Sequence, residues 1–267
     1  MAETRDPAYP AVLAALARHV QAVAARDRSV VDIGPFRAFF SDTSDDPLLS
    51  LAVPRRAPPD WHPDIAALKA AFAGRQRTLR LEYFGELFPT LATALRAHGF
   101  DEPDTLPVQS LAAEDLVTAR AAPKIVLSCP EPDDREHLRG LMALQARCFE
   151  ALAEIGDAGW LGQMQRDIAR GLARVCVAAV DGATIGGAML VSGGGAAELV
   201  GVATDPAWRR RRVASVTCAR LLADYFAAGG RLAWLSAGSA PAHALYKRLG
   251  FRQIGTQLNA ALPRPAA

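Results

Sequence analysis

AELVGVATDPAWRRRRVASVTCARLL, Ala197 to Leu222, sets the frame for the rest of the chain. It opens as a strand, since Leu199, Val200 and Val202 are apolar and favour extended backbone. Thr204-Asp205-Pro206 ends that strand, because proline has no N–H for the ladder. Four arginines follow, Arg209 to Arg212. Val213, Val216, Ala219, Leu222, Ala223 and Phe226 then recur at helical spacing. A strand, a basic turn and a helix start make an anion site, because the first turn of a helix carries free N–H groups and about half a positive charge.

The flanking sequence extends the pattern on both sides. Upstream, Ile125 to Cys129 reads as a strand, and Leu138, Leu141, Met142, Gln145 and Cys148 trace a helical face. Leu161 to Ile168 reads as a second helix, while Phe149 to Gly159 has no clear period. Arg174 to Val180 and Thr184 to Val191 form strands joined by Asp181-Gly182, a hairpin turn pair. Ser192 to Gly195 turns the chain into the Ala197 strand. Downstream, Gly229-Gly230 stops the helix and Leu232 to Ala237 is a strand. Ser239-Ala240-Pro241 opens a helix that reaches Leu249, and Gly250 precedes a last strand, Phe251 to Leu258.

The stretch after the Ala197 strand resembles motif A of the GNAT superfamily, the acyl-CoA-dependent N-acyltransferases. Their pattern is Arg/Gln-x-x-Gly-x-Gly/Ala. Arg209 fills its first position and Ala214 its last, but Arg212 stands where the middle glycine belongs. SAPAHALYKRLGF, Ser239 to Phe251, resembles motif B of the same superfamily, with Tyr246 as its tyrosine and Gly250-Phe251 as its closing pair; the family often has asparagine at Ser239. The resemblance implies that Val202, Ala203 and Thr204 pair with a pantetheine arm. It implies that Arg209, Arg210, Arg211, Arg212, Val213, Ala214 and Ser215 wrap a pyrophosphate, with Ser239 a further contact. Acetyl-CoA is then the co-substrate, and an amine, small or peptidyl, the acceptor.

Tyr246 is the candidate general acid for the departing thiolate, since a phenol with a pKa of about 10 stays protonated near neutrality. Glu198 is the candidate base. Simple alternation puts it on one strand face with Val200 and Val202, and some superfamily members use a glutamate there. His243 reads as a solvated helix position and Trp208 as packing beside the loop. A non-catalytic acyl-CoA-binding or regulatory protein with a degraded loop is the alternative reading. The two early helices, with Phe149 to Gln165, are expected to wall the acceptor site.

The first half repeats the outline without the chemistry. Leu13, Leu16, Val20 and Val23 mark a helix, Val30 to Ile33 and Leu48 to Val53 strands, and Phe36, Phe39 and Phe40 core packing. A helix starts near Pro63 and ends at Gly74, Thr78 to Phe84 is a strand, and Leu87 to His98 a helix. Phe100 begins a return strand, and Pro107 to Leu111 is read as a further one. The interval from Val53 to Gly99 nearly matches that from Ala203 to Gly250. The position of Tyr246 is taken by Leu95, however, and Arg55-Arg56 are followed by Ala57-Pro58-Pro59 rather than a helix. The expected fold is therefore α/β with a mixed sheet, GNAT-like. Residues 1–120 would form a degenerate, structural GNAT-like domain and 121–267 a catalytic one, joined through Thr118 to Pro123.

Composition excludes several alternatives. A 51% hydrophobic and 22% charged chain can build a core. A net charge of +2, without a basic face or interleaved aromatics, argues against a nucleic-acid partner. No apolar run of about 18 residues suggests a membrane span, and MAETRDPAYPAV is not a signal peptide. Cys129, Cys148, Cys176 and Cys218 form no CxxC pair and read as reduced, cytoplasmic thiols. No His/Cys/Asp/Glu cluster has metal-ligand spacing. Scarce lysine beside abundant arginine and alanine points to a bacterial GC-rich genome, and homodimerisation is left open.

Overall fold

The computed structural model describes residues 9–42, 49–149 and 157–263. Its elements in the first half are α1 (Tyr9–Ala24), β1 (Ser29–Ile33), β2 (Phe36–Phe40), β3 (Leu51–Pro54), α2 (His62–Ala73), β4 (Arg80–Phe84), α3 (Leu91–Ala97) and β5 (Asp104–Ala112). The second half holds β6 (Val126–Ser128), α4 (Arg135–Cys148), α5 (Asp157–Ala169), β7 (Ala173–Val180), β8 (Ala183–Gly193), β9 (Ala196–Thr204), α6 (Val213–Ala227), β10 (Leu232–Ser236), α7 (Ala240–Arg248) and β11 (Arg252–Ala261). The mixed α/β class expected from the sequence is the one observed.

Two compact units emerge, and neither is a continuous piece of chain. The first comprises residues 1–108, 236–238 and 253–267; the second comprises 109–235 and 239–252. A single cut at 120/121 would leave the last strand with the second half. Instead, β11 runs antiparallel to β4, with Gln257 opposite Phe84 and Ala261 opposite Arg80. In the second unit β10 has β5, a strand of the first half, as its neighbour. Each βαβα run thus closes with the final strand of the other half.

Within the first unit the strand order is β1-β2-β3-β4-β11. β2 shows why Phe36, Phe39 and Phe40 read as packing and not as a strand. Phe36, Ala38 and Phe40 face one cluster with Trp61, Ile65 and Phe72, while Phe39 joins Ala24, Leu51 and Val53 on the other face. A strand buried on both faces has no polar alternation to betray its period. Phe36 meets Trp61 at 5.4 Å and Phe40 meets Phe72 at 4.6 Å between ring centroids, tilted contacts that suit aromatic quadrupoles. β5 is one strand through Pro107, and it begins only at Asp104, after Phe100.

Within the second unit the order is β5-β10-β9-β8-β7-β6. β7 and β8 join through Asp181 and Gly182, both with positive φ (49° and 80°), as a type I′ hairpin requires. α4 and α5 cover one face of this sheet through Leu138, Leu141, Leu161 and Met164. α6 covers the other, with Val213 against Gly186. No helix among the described residues is long and apolar enough to cross a membrane.

Buried acids give the fold an alkaline limit. Burial pushes the Cys218 thiol up to about 12 and the Tyr83 phenol up to about 12, and it also raises Tyr225 and Tyr246. In the unfolded chain these groups ionise near ~8.5 for cysteine and ~10 for tyrosine. Above those values the folded chain holds more protons than the unfolded one, so stability is lost as pH rises toward the folded values. We expect the melting temperature to stay level from about pH 7 to 8.5 and to fall steadily between about 9 and 11, as thermal scans in a buffer series would record.

Candidate active site

The strand β9 carries the site. Its pairing with the parallel strand β10 is confined to Ala197 opposite Ala233 and Glu198 opposite Trp234. Beyond that point the two strands part, and Leu199 to Thr204 pair only with β8. From Val202 to Thr204 the β10-facing edge therefore has no strand partner, its Thr204 carbonyl meeting only the Cys148 thiol of α4 at 3.7 Å, and it can accept an extended chain as an added strand. Thr204 adds a buried hydroxyl without a hydrogen-bond partner among the described residues. A buried polar atom left unmatched is costly.

A bulge sits at the parting point. Met189 lies opposite Val200 and Gly187 opposite Ala203, so three steps on β9 match two on β8. The extra residue falls at Gly201-Val202, and Gly201 has φ +60°, a left-handed backbone that glycine adopts without strain. Gln145 of α4 donates from Nε2 to the Gly201 carbonyl at 2.7 Å and is itself 8% exposed. The bulge corrects the simple alternation. Residues opposite each other share a face, so Glu198, Val200 and Ala203 lie on the α4/α5 face and Val202 leaves it. Gln145 was legible only as one member of a helix face. The signal for the bulge was present as a glycine inside a strand pattern.

The loop after β9 is shaped by its own backbone. Asp205 accepts from the Ala207 N–H through Oδ1 at 2.9 Å and starts a short 3-10 turn, Pro206–Trp208. Arg210 and Arg212 both have positive φ (63° and 64°). Arg212 is the N-cap of α6, and no side chain caps that helix. The N–H groups of Val213, Ala214 and Ser215 thus have neither an intrahelical acceptor nor a side-chain cap. Arg209 to Arg212 are exposed around them. Arg211 lies 4.8 Å over the Trp208 ring, a cation–π contact that gives Trp208 its place beside the loop. Free donors, the helix dipole and guanidinium groups converge where an anion would sit.

Tyr246 and Ser239 share α7. Ser239 is its N-cap, accepting from the Ala242 N–H at 3.4 Å, so its hydroxyl has a structural task that the sequence did not reveal. Tyr246 is buried with its ring edge-on to Phe251, 5.9 Å between centroids. Burial raises its pKa, and nearby Cys218 adds to the shift, so the phenol stays protonated well above neutral pH. Gly250 closes the helix at φ +103°, and a side chain there would run into the Asp115 carbonyl.

This order of motifs has a counterpart among known proteins. Residues 138–251 match the model of the acetyltransferase (GNAT) family. Over that stretch the chain is similar to GNAT acetyltransferases. A GCN5-related N-acetyltransferase from Kribbella flavida superposes with a TM-score of 0.77, is 22% identical and is covered over 98% of both chains. A GCN5-related N-acetyltransferase from Sphaerobacter thermophilus gives 0.65 at 15% identity, over 87% of this chain and 78% of that one. A tandem GNAT protein from the clavulanic acid biosynthesis pathway gives 0.60 at 14% identity, over 86% and 79%. At these identities the likeness establishes the fold. No curated protein matches the chain. Family and fold together support acyl transfer over residues 138–251.

Among the described residues of the first unit, the corresponding positions are occupied differently. β3 and β4 pair in parallel only at Ala52 and Leu81, a splay like that of β9 and β10. A cavity of about 20 Å³ lies there, lined by Val53, Pro54, Tyr83 and Gln257 among others, which is room for about one water. Arg55, which follows β3, is held by Asp32 at 2.7 Å. Asp60 already accepts from the His62 N–H at the start of α2, at 2.9 Å. The cation and the helix start are both taken by carboxylates of the unit itself.

Arg212 can be tested directly. A left-handed non-glycine residue costs about 1 kcal/mol. Arg212→Gly should therefore raise the melting temperature by about 2 °C in a chain of this size. If the loop holds the pyrophosphate of coenzyme A, as the motif A resemblance implies, the substitution should also weaken coenzyme A binding by about threefold through loss of a guanidinium. Calorimetric titration with coenzyme A and a thermal scan read both effects. Tighter binding would mark the arginine as a defect of the loop.

Proposed function

We propose that the protein is an N-acetyltransferase that moves an acetyl group from acetyl-CoA to a primary amine by direct attack in a ternary complex. The observation that carries this reading is the open edge of β9 leading into an uncapped helix N-terminus ringed by four arginines. The pantetheine arm pairs with Val202, Ala203 and Thr204. The pyrophosphate accepts from the backbone of Arg210, Arg211, Arg212, Val213, Ala214 and Ser215, and the arginine side chains, that of Arg209 included, add charge. Ser239 keeps a hydroxyl proton to donate while its oxygen caps α7. The Val202 N–H polarises the thioester carbonyl as charge develops on its oxygen.

The amine attacks the thioester carbon, the tetrahedral intermediate collapses, and the C–S bond breaks. Glu198, on the α4/α5 face, takes the proton lost by the amine, directly or through water. Tyr246, held neutral, gives its proton to the departing thiolate. Residues 150–156, part of the segment expected to line the acceptor, lie outside the described residues. The first unit, residues 1–120 in the simple division, serves as a structural partner without catalytic groups. The C-terminal half, 121–267, supplies the chemistry.

The test is release of free coenzyme A thiol from acetyl-CoA in the presence of a panel of small and peptidyl primary amines. Amine-dependent release supports the enzyme. Tight coenzyme A binding without release across the panel supports the non-catalytic alternative, which draws on the departure at Arg212.

A further inference from the structure

On the far side of the second unit from β10, two cysteines stand face to face. Val126, Leu127 and Ser128 of β6 pair antiparallel with Ala179, Ala178 and Val177 of β7. The next positions along that ladder are Cys129 and Cys176. Opposite residues of an antiparallel ladder have Cα atoms about 4.5–5.5 Å apart, which falls within the roughly 4.4–6.8 Å that a disulfide spans. Cys129 is exposed and Cys176 is fully buried. α6 contributes a charged pair beside them, Arg220 Nε to Asp224 Oδ2 at 2.7 Å, and Cys129 Sγ lies 3.7 Å from the same Asp224 oxygen. None of these groups has a part in acyl transfer.

We propose that Cys129 and Cys176 form a redox-active dithiol that takes hydroperoxides, with Cys129 as the attacking sulfur and Cys176 as the thiol that closes the disulfide. Accessibility decides the roles within the pair: Cys129 is exposed to an oxidant, and Cys176 stands buried opposite it. The charge environment agrees. The Cys129 thiol is more acidic than usual, chiefly because its thiolate accepts a hydrogen bond from Cys176, with Arg220 adding to the effect against burial and Asp224. Cys176 is correspondingly harder to ionise. The thiolate is the reactive form, so the pair divides into one reactive and one protected sulfur.

In the first step the Cys129 thiolate attacks the peroxide, an S–O bond forms, the O–O bond breaks, and the alcohol or water leaves with a proton. In the second, Cys176 sulfur attacks Cys129 sulfur, the S–S bond forms and the S–O bond breaks. The Cys176 proton leaves with the hydroxide as water. The two thiols lose two electrons and the peroxide gains them.

The test uses the full-length protein and hydrogen peroxide, followed by alkylation and a non-reducing tryptic map. The peptide Ile125–Arg135 should become joined to Val175–Arg209, with a mass two hydrogens below the sum of the two. In Cys176→Ala, dimedone should trap a sulfenic acid on Ile125–Arg135, and in Arg220→Ala the joined peptide should form about three- to tenfold more slowly. Dimedone capture at Cys148 instead of Cys129, a link between Cys176 and Cys218, or no link at all in the wild-type protein would overturn the proposal. The wild-type map needs no variant to fold, so the outcome does not depend on tolerance at the buried position.

Discussion

Replacing Tyr246 by phenylalanine is expected to lower kcat for acetyl-CoA-dependent acetylation by about 100-fold, while KM for acetyl-CoA stays within about twofold. The substitution keeps the ring against Phe251 and removes only the hydroxyl. The melting temperature should therefore change little, and this separates a chemical role from a packing one. The raised pKa of Tyr246 adds a second signature. A general acid whose ionisation is pushed up by burial gives no alkaline loss of kcat near pH 10, where a free tyrosine would titrate. Stopped-time assays of thiol release from pH 7 to 10 measure both. Unchanged turnover in the phenylalanine variant would remove Tyr246 from the mechanism.

Replacing Gly201 by valine is expected to destabilise the second unit strongly. A β-branched residue at φ +60° is strained, and a Cβ at this position would meet the Gln145 side chain. Together these should cost about 3 kcal/mol and lower the melting temperature by about 6–12 °C. On the proposed mechanism, activity falls further than stability, because the bulge aims the Val202 N–H at the thioester. Gln145→Ala isolates that second effect. It leaves the Gly201 carbonyl without its donor, at about 1–3 kcal/mol, and should lower kcat about tenfold in protein that remains folded at the assay temperature. Circular dichroism and steady-state kinetics on the two variants read the split. A Gln145→Ala enzyme with wild-type kcat would remove the bulge from catalysis.

The second half was largely legible because many of its elements are bounded by glycine or proline. The Asp181-Gly182 hairpin, the stop at Gly229-Gly230 and the helix opening at Ser239 all stand at or within a residue or two of where the sequence puts them. The first half was less so. β2 hid behind double-sided burial, and β5 was broken in two by Pro107, which its strand tolerates. At the site, the arginines and Tyr246 were named from their motifs. Gln145 was not, since its contact with Gly201 joins residues remote in the chain, and local periodicity carries no record of such a contact.

The amino-acid sequence by itself determined most of the helices and strands, where the basic turn falls, and that the first half has no counterpart of Tyr246. Those are local properties, set by side-chain period, turn residues and identity. Only the tertiary structure decided which strand closes each unit. The edges of β4 and β10 offer the same backbone N–H and C=O groups to any partner, so β5 and β11 were equally acceptable to both on local grounds. The choice of β11 for β4 follows from packing, as with Ala260 in the core of the first unit, and from hydrogen bonds such as Gly85 N–H to Thr256 carbonyl at 3.0 Å. The left-handed turn at Arg212 was decided the same way. The sequence marked an arginine out of place, and the fold supplied the reason that glycine would fit there.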